Sequence, residues 1–152
     1  MKIAIFAAMA ISTMSAAAFA DDRADVLNCI QKAEKKDKAA TPCIGLIADA
    51  CIAKTENGSK GDPKACAKRE LAVWSNLLRE AVKLVEKGGF QEIISTMTES
   101  QQAWMNSREK LCPTFDIVDP GMALRGADYC RVVETGGRVV TLRKLGNAVN
   151  EH

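Results

Sequence analysis

Residues 101–112, QQAWMNSREKLC, carry the side chains that most need a chemical explanation. An apolar stripe of Phe90, Ile93/Ile94 and Met97 leads into them at helical spacing. The same period continues through Gln101, Trp104, Arg108 and Leu111. A long amide and a guanidinium thus fall on a face that should be buried, where polar groups are costly unless paired. A guanidinium in such a place can hold a carboxylate bidentately and stack on an indole. A candidate partner is Glu70, which lies on a second stripe: Cys66/Ala67, Glu70/Leu71, Trp74, Leu77/Leu78, Ala81 and Leu84/Val85.

Other chemistry is scarce. The single histidine is His152, the last residue, so no Ser-His-Asp or Cys-His set can be assembled. There is no glycine-rich phosphate loop. Acidic residues are common, but no spacing singles out a carboxylate pair for glycoside chemistry. Met97 and Met105 read as core filler. No cofactor is implied, and the chain is not expected to be an enzyme. The six cysteines are Cys29, Cys43, Cys51, Cys66, Cys112 and Cys130. With no C-x-x-C and no internal histidine, a metal site is not expected, and an even count in a small exported domain reads as three disulfides.

Export is expected from the first twenty residues. Lys2 provides a charged start, residues 3–11 an apolar run too short to span a bilayer, and Ala18-Phe19-Ala20 a small-x-small cleavage site. No cysteine follows that site, so no lipid anchor is expected there. Residues 1–20 thus read as a signal peptide, and residues 21–152 as a single domain placed in the periplasm or secreted. Lys and Arg number 21 against 19 Asp and Glu; loss of Lys2 with the signal takes the net charge from +2 to +1. So even a balance argues against nucleic acid or a membrane surface as partner.

The elements that must position these residues read as helices. Thr41-Pro42, Asp62-Pro63 and Asp119-Pro120 each look like an N-cap followed by proline at the first helical position, and Pro113 ends the helix before it. Helices are predicted over about 22–36, 42–54, 63–87 and 90–111, with Gly88-Gly89 stopping the third. Residues 55–62 form a polar turn containing an Asn57-Gly58-Ser59 glycosylation-type triplet. Residues 131–141 are open to two readings. They could form a β-hairpin about Thr135-Gly136-Gly137, or a helix with a weak point at the two glycines. The stripe Tyr129, Val132/Val133 and Val139/Val140 favours the helix.

The expected fold is therefore all-α: a small disulfide-braced helical domain built on a long antiparallel helix hairpin, residues 63–87 against 90–111. In such a hairpin the numbers of facing residues sum to about 177. That places Glu70 near Arg108 and Trp74 near Trp104, and predicts an interhelical ion pair flanked by two tryptophans. Among 15 possible disulfide pairings the sequential one is expected. Cys51 and Cys66 face each other across the 55–62 turn, and Cys112 and Cys130 close a short excursion. Cys29–Cys43 follows by elimination, although a hairpin of the first two helices would bring Cys29 nearer Cys51.

The same residues carry a family resemblance. Cys66, Glu70, Trp74 and Leu78 match the C-x-x-x-E-x-x-x-W-D-x-x-L-N pattern of the lysozyme-inhibitor LprI-like family, with Ser75 and Arg79 in place of its Asp and Asn. Gln101, Ala103, Trp104, Arg108 and Cys112 match its A-Q-x-A-W-x-x-[YF]-R-D-x-x-C run; Ser100, Ser107 and Glu109 differ. Cys130, Thr135, Arg138 and Leu142 match a later C-x-x-x-x-T-x-x-R-x-x-x-L pattern, and Cys43-Ile44-Gly45 with Cys51 resembles an extended variant. The resemblance spans about residues 40–145. It implies an all-helical fold, hence a helix after Cys130, with Glu70, Trp74, Gln101, Trp104, Arg108, Thr135 and Arg138 as its motif.

The resemblance also implies an exported binding protein that inhibits a lysozyme-type muramidase. Two alternatives stay open: a disulfide-braced structural or envelope-stress protein without an enzyme target, and a cell-wall hydrolase. For an inhibitor, the 55–62 turn is the expected contact. A protruding loop can enter a groove that holds two carboxylates, where Ser59 can hydrogen-bond and Lys60 or Lys64 can oppose the charge. The Pro113–Gly126 excursion is the next candidate.

Overall fold

The computed structural model describes residues 14–36, 38–56, 62–118 and 126–151. Among these described residues six α-helices follow in order: α1 (Met14–Glu34), α2 (Leu46–Glu56), α3 (Pro63–Lys87), α4 (Gln91–Leu111), α5 (Pro113–Val118) and α6 (Ala127–Asn150). A short 3-10 turn, Thr41–Cys43, precedes α2, and there is no strand among the described residues. Most of the predicted signal, the 57–61 tip of the polar turn and the Asp119-Pro120 pair lie outside the described residues. Helix α1 begins earlier than expected and runs unbroken past Ala20, with Phe19 packed on the core.

Proline and capping explain the helix starts. Asp62 caps α3, its side chain accepting from the Lys64 N–H at 2.9 Å, with Pro63 at the first position. Thr41 does not cap: it lies within the 3-10 turn, whose N-cap is Ala40. Pro113 both ends α4 and opens α5, an element not anticipated. Residues 131–141 are helical throughout, as the apolar stripe favoured.

Helix α3 is the axis. It buries Cys66, Ala67, Glu70, Val73, Trp74, Leu77, Ala81 and Val85. Val26 and Ile30 of α1 and Val132 and Val139 of α6 join Val73, Trp74 and Leu77 in the main cluster. A second cluster sits toward the Gly88-Gly89 turn, where Ala81, Val85, Met97 and Leu142 meet.

The α3–α4 hairpin turns at Gly89, whose φ of 76° glycine supplies without strain. Its seam, however, is filled from elsewhere. Met97 is the only buried residue of α4, while α6 covers most of the α3 face. Two α6 glycines permit this approach. A Cβ on Gly146 would stand 2.7 Å from Leu84 Cγ, and one on Gly136 would stand 2.7 Å from Ile44 Cγ1. The supposed weak point of α6 is thus where the chain before α2 packs closest. Gly137, by contrast, has open space around it.

Three disulfides, Cys29–Cys43, Cys51–Cys66 and Cys112–Cys130, follow the sequential pairing. Each closes a loop of 14–18 residues, worth roughly 3 kcal/mol in the chain-entropy account.

Candidate functional site

The motif residues divide between two ladders rather than meeting in one seam. In the first, Cys66, Glu70 and Trp74 line one face of α3 at intervals of four residues and together hold α2. Cys66 is bonded to Cys51 of α2. Glu70 is completely buried, and its carboxylate closes the N-terminus of α2. Oε1 accepts from the Gly45 N–H at 2.7 Å, and Oε2 from the Ile47 and Ala48 N–H groups at 3.0 and 2.7 Å. One turn along α3, the Trp74 indole N–H donates to Oε1 at 2.7 Å. Free N–H groups and the positive end of the helix dipole make this terminus a binding place for an anion. Gly45 reaches it with φ of 93°, and a side chain there would meet Asp49 and the Tyr129 hydroxyl.

The predicted Glu70–Arg108 ion pair is therefore corrected. The buried carboxylate does need partners, but finds them in backbone amides and an indole, not in a guanidinium. The facing rule failed because it assumed that α4 lies along the whole of α3. Trp74 likewise sits in the main core, apart from Trp104.

The second ladder joins α4 to α6, antiparallel, through the remaining motif residues. Gln101 Oε1 accepts from Arg138 Nε at 2.8 Å. Arg108 Nη1 donates to the buried Thr135 Oγ1 at 2.9 Å. Cys112 is bonded to Cys130 at the end. Between the rungs, the guanidinium carbon of Arg108 lies 4.8 Å from the Trp104 ring centre, and that of Arg138 lies 5.9 Å from it. One indole thus serves two guanidinium groups.

One carboxylate compensates Arg108 at the outer edge. Glu109 accepts from Arg108 Nη2 at 2.7 Å and lies 3.4 Å from Arg131 Nε. The Arg108 hydrogen bond holds the Glu109 carboxyl below the usual carboxylate range. Arg138 differs: its two acceptors, Gln101 and Ser100, are neutral, and burial lowers its pKa.

Of the candidate binding residues, one is placed. Lys64 is exposed on the first turn of α3, while Ser59 and Lys60 lie outside the described residues. Pro63, Lys64 and Ala67 border a small cleft whose other side is Asp116, Gly126 and Ala127. Asp116 Oδ1 accepts from the Ala127 N–H at 2.9 Å, fastening α5 to the start of α6. The ends of the two candidate loops, the 55–62 turn and the 113–126 excursion, are thus neighbours, each closed at its base by a disulfide. Phe115, Ile117 and Val118 of α5 are 42, 77 and 83% exposed beside this end. Sequence reading placed no weight on them, although three apolar residues within the six of Pro113–Val118 were the available signal.

Other charged groups missed in the sequence are structural. Asp22 is buried and accepts from Arg69 at 2.5 and 2.7 Å, which raises the Arg69 pKa. Among the described residues no cluster of His, Cys, Asp and Glu could hold a metal ion, and no helix is long and apolar enough to cross a membrane.

No curated protein and no solved structure matches the chain. A family model does: that of the lysozyme inhibitor LprI, over residues 51–140. The matched span is more than half of the chain. It contains Cys51, Cys66, Glu70, Trp74 and the whole second ladder, and leaves α1, the Cys29–Cys43 brace, the start of α2 and the end of α6 beyond it. The side chains that hold α2 on α3 and α4 on α6 are thus inside the matched region, and this chain belongs to the lysozyme inhibitor LprI family.

Proposed function

We propose that the protein is exported, is not an enzyme, and inhibits a lysozyme-type muramidase with the end of the molecule that carries the 55–62 turn. The observation that carries this reading is the family match over residues 51–140. The geometry supports the choice of surface. The Cys51–Cys66 bond pins the base of the turn, and the neighbouring excursion is pinned by Cys112–Cys130. Loops held at their bases lose less conformational freedom on binding, so more of the contact energy appears as affinity.

The chemistry is complementary to a muramidase cleft, a groove holding two carboxylates. Ser59 donates a hydrogen bond, and Lys60 and Lys64 supply positive charge. Phe115, Ile117 and Val118 add an apolar flank that a partner would desolvate. The export signal in residues 1–20 and the three disulfides suit an oxidising compartment, where such enzymes act.

The test is a cell-wall lysis assay with purified protein and several lysozymes. Dose-dependent protection supports inhibition. Lysis by the protein alone supports a hydrolase instead, and no effect with any lysozyme leaves a structural envelope protein.

A further inference from the structure

The Arg138 end of the second ladder opens onto a groove that neither the ladder nor the proposed inhibitory end uses. The groove runs between α4 and α6 and has a volume of about 400 Å³, within the range of small-molecule sites. Ile93, Met97, Leu142 and Leu145 make its apolar wall. Arg138 and Ser100 stand at one end and Glu92 at the other, eight residues away along α4, or about 12 Å at helical rise.

Arg138 is the unusual member. The other half-buried arginines among the described residues each face a carboxylate: Arg23 faces Glu80, Arg108 faces Glu109, Arg131 faces Asp128 and Arg143 faces Glu34. Arg138 uses Nε on the Gln101 amide and one Nη2 hydrogen on Ser100 Oγ. Both Nη1 hydrogens and the second Nη2 hydrogen have no acceptor among the described residues. Guanidinium groups bind carboxylates through paired donors of this kind, more strongly than they bind neutral acceptors. The Ser100 hydroxyl, accepting from Arg138, keeps its own hydrogen to donate.

We propose that this groove binds an amphipathic monocarboxylate, with the acid group on Arg138 and Ser100 and the hydrocarbon chain along Ile93, Met97, Leu142 and Leu145. Glu92 at the far end sets the orientation, because it repels the acid group and leaves the cationic end to receive it. The site is independent of lysozyme inhibition, since its residues lie on the α4–α6 face and not at the pinned loops.

The experiment is calorimetric titration of the whole protein with decanoate below its micelle concentration, with decanol and decyltrimethylammonium as controls. Tryptophan emission is followed in parallel: Trp104 adjoins Arg138, whereas Trp74 is fully buried in the core. Saturable decanoate binding that changes the emission, at least tenfold tighter than either control, is expected. Arg138→Gln should weaken it at least tenfold. Thr141→Glu, at an exposed position on the groove's rim one turn from Arg138, should do the same by placing a carboxylate against the guanidinium while leaving the helical content unchanged. Equal binding of decanol, unchanged binding in folded Thr141→Glu, or no saturable heat with decanoate would overturn the proposal.

Discussion

Replacing Glu70 tests the reassigned buried charge. The side chain accepts four hydrogen bonds, three from backbone N–H groups at the start of α2 and one from Trp74. Glu70→Ala removes both accepting oxygens and leaves four donors facing a cavity. Losing an N-cap costs about 1–2 kcal/mol, and a buried donor left unsatisfied costs about 1–3 kcal/mol. Water entering the cavity recovers part of this, so a net loss of about 3–5 kcal/mol is expected, a large share of a typical domain's stability. Glu70→Gln should lose less, because one oxygen survives to serve two donors while its amide N–H₂ opposes the other two. The decisive quantity is coupling, read from urea unfolding of single and double variants by far-UV circular dichroism. Glu70 and Trp74 touch and should couple by about 0.5–3 kcal/mol. Glu70 and Arg108 share no partner, so Glu70→Ala and Arg108→Met should add to within about 0.5 kcal/mol. Strong Glu70–Arg108 coupling, or a Glu70→Ala protein as stable as the parent, would refute the cap.

Neighbouring glycines of α6 should respond with opposite sign. Gly136→Ala drives a Cβ into Ile44 and should destabilise by about 1–3 kcal/mol, whereas Gly137→Ala meets open space and should stabilise by up to about 1 kcal/mol; thermal melts distinguish them. Because the Glu109 pKa is depressed in the folded state, its contribution to stability is present above the ordinary carboxylate value of about 4.3 and is lost as pH falls through the lower folded value. Trp104 emission should therefore hold steady from neutral pH and change only below the ordinary carboxylate range, and Glu109→Gln should remove that step. Replacing Cys51 and Cys66 together by serine should lower stability by roughly 3 kcal/mol and weaken lysozyme inhibition by more than replacing Cys29 and Cys43, as a set of protection curves would show.

Much of this arrangement was legible in the sequence. The apolar stripe of residues 63–87 and the Asp62-Pro63 start mark α3, because capping and periodicity are local. The sequential pairing was legible because Cys51–Cys66 and Cys112–Cys130 each close a short excursion; Cys29–Cys43 followed only by elimination. The need of Glu70 and Arg108 for buried partners was equally plain; the choice of partners was not. Pairing them required knowing how far α4 follows α3, and nothing local reports that α6 takes the α3 face. The signal was present in composition: α4 offers Gln101, Trp104 and Arg108 where α3 offers a face that is apolar but for Glu70, whereas Val132, Val139 and Leu142, with glycines between them, suit α6 to close packing. The cap on α2 was hidden for a different reason. Its donors are backbone amides of Gly45, Ile47 and Ala48, which no side-chain pattern announces.

The central claim, that a disulfide-pinned end of this protein occupies a muramidase cleft, is tested most directly by calorimetric titration against lysozyme with and without a soluble oligosaccharide filling that cleft. Binding that is abolished by saturating oligosaccharide, and lost when residues 58–61 are replaced by a short neutral linker in a protein that still folds, is the expected result. Binding that survives both the filled cleft and the replaced turn would contradict the claim.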